Sequence, residues 1–207
     1  MISFVYFDVG GVVMLDFSKT NKWYELKHDI GVLDDKMALF DSIWKRHPVA
    51  IDCDVDDLIF EIGKEMGLVI PARYSMLEDF VNRFQPNPFI LPVIKYVQKT
   101  CNVGLLTNMY PRMFDLIQSK NLLPAVEWDV IIDSSIVKLK KPDPRIYALA
   151  QQKAGVPGNH ILFVENQEEH VNAARTAGWN AFLYDSANPE KSSKDVLDFF
   201  EKNTSYP

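Results

Sequence analysis

Four short stretches put charge-bearing or oxygen-bearing side chains at the ends of apolar runs. Asp8 follows the run SFVYF and precedes Val9-Gly10-Gly11-Val12-Val13; Thr107 closes NVGLLT and Asn108 follows it. Lys141 leads the segment Lys141-Pro142-Asp143-Pro144; Glu165 closes HILFVE and Asn166 follows it. A carboxylate, a hydroxyl, a cation and a second oxygen-rich pair suit a phosphate group and a hard metal ion, provided that one edge of the molecule gathers them. Asp8 can serve as nucleophile or metal ligand. The Thr107 hydroxyl and neighbouring backbone N–H groups can hold phosphate oxygens, helped by the positive end of a following helix. Lys141 can neutralise charge that develops during phosphoryl transfer.

The elements around these residues are the kind that produce such an edge. Apolar runs at Ser3–Phe7, Asn102–Thr107, Trp128–Asp133, His160–Glu165 and Asn180–Asp185 are short and mostly do not alternate, as strands covered on both faces should be. Helical stretches begin near Pro111, Asp143, Glu168 and Pro189. This alternation predicts an α/β fold with a doubly wound parallel sheet, whose ligands bind outside the strand carboxyl ends. From about Phe17 to Phe84 the pattern changes to four amphipathic helices, with starts expected at Ser18, Asp34, Asp54 and Pro71–Ala72. Val55, Leu58, Ile59, Ile62 and Met66 form one apolar face, and Gly31 and Gly67 stand where helices should stop. Residues 17–86 therefore read as an inserted all-helical domain, and residues 1–16 with 87–207 as the α/β core. Trp23, Tyr24, Phe40, Trp44, Phe80 and Phe84 are expected to be the core of the helical domain.

Composition narrows the functional classes. The 207 residues, 47% hydrophobic and 12% aromatic, suffice for a packed core with one insertion. A formal net charge of −6 repels nucleic acid and anionic membrane surfaces, so neither is expected as a partner. Cys53 and Cys101 are far apart and in no metal-binding spacing. The amino-terminal residues lack a basic leader, and no apolar run is long enough to span a bilayer, so a cytoplasmic location is expected.

FDVGGVV, LLTN, KKPDPRIY and LFVEN-x(6)-AAR-x-AG, in that order, resemble the four motifs of the haloacid dehalogenase-like superfamily over essentially the whole chain. The helical block falls where that superfamily places a helical cap, and the chain resembles its sugar-phosphate phosphatase-like members. The resemblance implies a Rossmann-like core and a small phosphorylated metabolite as substrate. Asp8 would form a covalent aspartyl intermediate, Thr107 and Asn108 would bind the phosphoryl group, and Lys141 would anchor both. It further implies magnesium, held by Asp8, the backbone carbonyl of Gly10 and the pair Glu165 and Asn166. His170 falls where the superfamily places an acid that helps to position metal or water.

Two positions depart from the pattern. Gly10 stands where these phosphatases usually carry an Asp that protonates the leaving group and activates water. Glu165-Asn166 replaces Asp-Asp or Gly-Asp, so a neutral amide stands where a carboxylate usually binds the metal. Three readings follow, in this order: a slow magnesium-dependent phosphatase of a small metabolite; a catalytically impaired protein that binds a phosphorylated ligand or a protein partner; and a carbon–halogen hydrolase. Of the neighbouring cations, Lys141 is expected to point inward and Lys138 and Lys140 into solvent.

Overall fold

The computed structural model describes residues 1–204. The chain opens with β1 (Phe4–Phe7), turns through the glycine-containing loop and forms the short β2 (Met14–Leu15). Four helices follow: α1 (Lys22–Asp29), α2 (Met37–Lys45), α3 (Val55–Met66) and α4 (Met76–Asn82). The short β3 (Gln85–Pro86) pairs antiparallel with β2, so the entry to the helical block and its exit are stitched side by side. Then come α5 (Ile90–Val97), β4 (Asn102–Thr107), α6 (Met113–Ser119), β5 (Val130–Asp133), α7 (Ser134–Val137), α8 (Pro144–Ala154), β6 (Ile161–Glu165), α9 (Glu168–Thr176), β7 (Asn180–Leu183) and α10 (Pro189–Thr204).

The main sheet is parallel, with strand order β5-β4-β1-β6-β7. All four residues of β1 are buried because both faces are covered. Val5 and Phe7 face one apolar cluster, which continues into the helical block through Phe40, Ile59 and Phe80. Phe4 and Tyr6 face the other, with Leu106, Tyr147 and Phe163. Each such side chain contributes roughly 1.5–3 kcal/mol on burial.

Helix boundaries follow local chemistry, and here several expectations needed correction. Asp54 does cap α3, accepting from the Asp56 N–H at 3.0 Å, and Gly67 ends that helix at φ +70°, a conformation glycine adopts without strain. Ser18 starts no helix: Asp16 and Phe17 bind residues 18–20 into a turn, and α1 begins only at Lys22. Asp34 opens a short 3₁₀ turn that leads into α2 instead of capping it. The fourth helix begins at Met76, not near Pro71–Ala72, because Ser75 accepts from the Glu78 N–H at 3.0 Å. Helix α5 was not expected, although Ile90, Val93, Ile94 and Val97 have its spacing and are buried. The four-residue α7 was also unforeseen; Asp133 caps it through the Ser135 N–H.

Candidate active site

Strand β1 lies between β4 and β6, with Phe7 level with Leu105 and Val164. The register delivers Asp8, Thr107 and Glu165 to one sheet edge. The Asp8 N–H donates to the Val164 carbonyl at 2.9 Å, and the carboxylate Oδ1 accepts from the Val9 N–H at 2.8 Å. The loop then folds back on itself: Gly11 N–H donates to Met14 O, and Met14 N–H to Val9 O. That fold brings residues 14–16 against residues 8–10.

Lys141 is fully buried at this edge. Its Nζ lies 3.0 Å from Asp8 Oδ1, 2.5 Å from Glu165 Oε2 and 3.0 Å from the Leu106 carbonyl, so its three N–H donors are all engaged. The backbone of Lys141 is clamped as well: its N–H donates to Asn108 Oδ1 at 2.9 Å, and its carbonyl accepts from Asn108 Nδ2 at 3.0 Å. Asn108 thus spends its side chain on positioning Lys141. The remaining Glu165 oxygen, Oε1, accepts from the N–H groups of Asn166 and Gln167, and His170 Nδ1 stands 3.1 Å from Oε2.

The charges interact strongly at such depth. Burial lowers the Lys141 pKa, but the two carboxylates more than reverse this and hold it above the ordinary value. Burial pushes Glu165 up, yet Lys141 and His170 outweigh it and keep the carboxyl below the usual range. Asp8 goes the other way: burial raises it, the Glu165 charge raises it further, and Lys141 only partly opposes them. Burial also raises the pKa of Asp16.

Asn166 is fixed by two hydroxyls, donating from Nδ2 to Ser18 Oγ at 2.9 Å and Ser186 Oγ at 3.0 Å. Ser186 in turn donates to the Gly11 carbonyl at 2.7 Å. Gly11 sits directly under this arrangement at φ +78°, where a Cβ would strike the Asn166 amide. The Asn166 amide oxygen remains to accept or to coordinate. Among the described residues, no group of three or more His, Cys, Asp or Glu side chains gathers into a metal cluster.

Above this floor lies a cavity of about 580 Å³. Asp8, Gly10, Thr107, Asn108, Asn166 and His170 line its base, while Phe17, Trp23, Trp44, Phe80, Phe84 and Tyr110 line its walls. Trp23, Trp44, Phe80 and Phe84 were expected only as packing; the first three pack on one another, Phe84 packs on Phe17, and all four also face the cavity. Phe40 is buried core as expected, whereas Tyr24 is exposed. Lys138 and Lys140 are not simply solvated: they donate to the carbonyls of Ile51 and Val49, in the loop between α2 and α3. Two acids in the cavity wall escaped the sequence reading. Asp41 is bound by Lys27 and by the Trp23 indole N–H. Asp16 stands against Gly10. No spacing rule points to either, since a loop fold and a helix packing bring them in.

A family model described as haloacid dehalogenase-like hydrolase matches residues 7–178. A Mycobacterium tuberculosis protein named as a phosphatase is 28% identical over 135 residues, covering 63% of this chain and 61% of its own. A phosphoglycolate phosphatase of Pseudomonas savastanoi pv. phaseolicola is 30% identical over 126 residues, covering 60% of this chain and 43% of its own. The chain thus spans about half the length of these two relatives. Among solved structures, an enzyme from Bacteroides thetaiotaomicron, in complex with magnesium and inorganic phosphate, superposes with TM-score 0.70 at 17% identity over 90% of this chain and 96% of its own. An L-2-haloacid dehalogenase from Xanthobacter autotrophicus superposes with TM-score 0.63 at 19% identity over 89% and 78%. These two likenesses establish the fold.

Proposed function

The chain belongs to the haloacid dehalogenase-like hydrolases, and from that premise we propose that it hydrolyses a phosphomonoester through an aspartyl phosphate formed on Asp8. The observation that carries this reading is the buried Lys141, held 3.0 Å from the Asp8 carboxylate at the base of a cavity. Lys141 orients Asp8 and offsets charge gathered there. Thr107 offers a hydroxyl and Asn108 its backbone to the phosphoryl group, while the Asn108 side chain keeps Lys141 in place. Residues 17–86 act as a cap over residues 1–16 and 87–207. The phosphatases among the relatives support the same reading.

Magnesium fits this donor set, which is made of oxygens: the Asp8 carboxylate, the Gly10 carbonyl and the Asn166 amide. Bound there, it would supply a divalent charge beside the phosphoryl oxygens. Glu165, whose two oxygens already accept from Lys141, His170 and two backbone N–H groups, we assign to holding Lys141. A single carboxylate among the three ligands favours weak binding.

The substrate is a small phosphorylated metabolite whose leaving group carries hydrocarbon or aromatic surface, in keeping with the walls formed by Trp23, Phe84 and Tyr110. A panel of phosphomonoesters and haloacids, with and without magnesium, tests the proposal. Hydrolysis of phosphomonoesters that needs magnesium and disappears in Asp8→Asn is the expected result. Magnesium-independent release of halide would move the carbon–halogen reading to first place. Tight binding of phosphorylated ligands without turnover would favour a binding protein.

A further inference from the structure

A carboxylate nucleophile leaves two protons to be managed: one for the departing alkoxide, one from the attacking water. The cavity offers few groups for this task. Asp41 is bound through both oxygens by Lys27 and through one by Trp23. His170 is turned toward Glu165. Lys45 is exposed at the end of α2, and Tyr110 is stacked on Phe80 at 5.6 Å.

Asp16 differs from all of these. Its Oδ1 accepts from the Ser18 N–H at 2.8 Å, which fixes the side chain. Its Oδ2 lies 2.5 Å from the point that a Cβ on residue 10 would occupy, two residues from Asp8. Gly10 is not among the positive-φ residues, so its backbone does not demand glycine. What demands glycine is space: the Asp16 carboxylate fills the volume into which a side chain at position 10 would project. Gly10 and Asp16 both line the cavity that contains Asp8.

We infer that Asp16 is the acid–base residue of the reaction at Asp8, reached from the following strand through the room that Gly10 leaves. This rests on the phosphatase reading. In the first step an Asp8 oxygen attacks phosphorus, the bond from phosphorus to the leaving oxygen breaks, and that oxygen takes the proton of the Asp16 carboxylic acid. In the second step water attacks the phosphorus of the aspartyl phosphate and gives a proton to the Asp16 carboxylate, while the bond from phosphorus to the Asp8 oxygen breaks. Inorganic phosphate departs, and both side chains return to their starting states.

The test compares an alkyl phosphate with nitrophenyl phosphate, whose leaving group needs no proton, in four proteins: wild type, Asp16→Asn, Asp16→Ala, and Asp16→Ala combined with Gly10→Asp. Rapid quenching and mass analysis follow phosphate on Asp8. Asp16→Asn should lose ~10²–10⁴-fold in turnover of the alkyl phosphate. With nitrophenyl phosphate it should still label Asp8 and accumulate the labelled form, because breakdown is slowed. The double variant returns a carboxylate to the same place from position 10 and should recover alkyl turnover over Asp16→Ala. An Asp16→Asn protein as fast as wild type on the alkyl phosphate overturns the inference. Equal losses on both substrates with no recovery in the double variant overturn it too, since that is the behaviour of a structural residue. If wild type neither hydrolyses a phosphate nor labels at Asp8, the phosphatase reading itself fails and takes this assignment with it.

Discussion

Around Lys141 and Asn166, single side chains carry several functions at once, which makes their replacement informative. Lys141→Met would leave Asp8 and Glu165 buried together without a counter-charge. Breaking a buried pair in this way costs about 3–5 kcal/mol, so urea unfolding should show a loss of that size, and an unchanged midpoint would mean that water already reaches the triad. Asn166→Asp places a full charge where an amide stands and should tighten magnesium, as calorimetric titration can measure. It also sets an oxygen against Ser186 Oγ, whose proton is committed to Gly11, so a stability loss of ~1 kcal/mol should accompany it. Equal magnesium affinity in the two proteins would remove Asn166 from the ligand set. Gly10→Asp would raise turnover if the position were simply vacant. With Asp16 in that space, the single substitution should lower activity and stability, and only its combination with a shortened residue 16 should be tolerated.

The loop after β4 governs how the helical block sits on the sheet. Arg112 donates to Asp54 at 2.6 and 2.9 Å and to Asp56 at 2.9 Å, tying the start of α6 to the start of α3. Two residues earlier, Tyr110 stacks on Phe80 and meets Trp44 edge-on. The two-stranded ladder of β2 and β3 joins the entry of the helical block to its exit and would be the hinge of any opening. Hydrogen exchange at Met14, Leu15 and Gln85 should slow when a metallofluoride occupies the site and should speed up in Arg112→Ala; identical rates throughout would argue for a fixed helical block. Acid should loosen the same latch. Burial pushes the Asp56 pKa up, but the Leu77 N–H, Arg112 and Ser75 outweigh it and hold it below its ordinary value. A carboxyl with a depressed folded-state pKa contributes stability above its unfolded value, ~4, and that contribution is lost as pH falls through the folded value. Asp56→Asn should therefore loosen the cap at neutral pH and flatten the acid-dependent part of its exchange. The exposed pairs to Arg112 are worth ~0–1 kcal/mol each, and salt should weaken them.

Across the whole molecule, the helical block and the sheet share one apolar cluster that runs from Val5 and Phe7 through Val13 and Met14 to Phe40, Ile59 and Phe80. Unfolding should therefore be a single cooperative transition despite the two-part architecture. Phe80→Ala, in the cap, should destabilise the entire chain by ~3–5 kcal/mol. Two resolved calorimetric peaks, with only one moved by the substitution, would show that the parts fold separately. No helix of the described residues is long and apolar enough to cross a membrane. The net charge of −6 disfavours extended polyanions as partners.

The amino-acid sequence by itself determined the parallel sheet, because buried strands must be short and continuously apolar, and it determined which residues end those strands. Phe4–Phe7, Asn102–Thr107 and Ile161–Glu165 follow from that pattern, and Asp8, Thr107 and Glu165 with them. Helix α5 was equally legible in its spacing but was masked by the prolines around it. The tertiary structure decided how these residues are used. Whether Glu165 faces a metal or Lys141, and whether Asn108 holds phosphate or the Lys141 backbone, depends on distances between strands that no local pattern encodes. The aromatic residues of the cap have the same composition whether they fill a core or wall a cavity; only the packing of Phe80 and Trp44 on Tyr110 separates the two. Gly10 read as the loss of a functional side chain because sequence registers what a position lacks. The loop that returns Asp16 to that spot is a matter of three-dimensional contact, and it turns an absence at position 10 into room for a carboxylate from position 16.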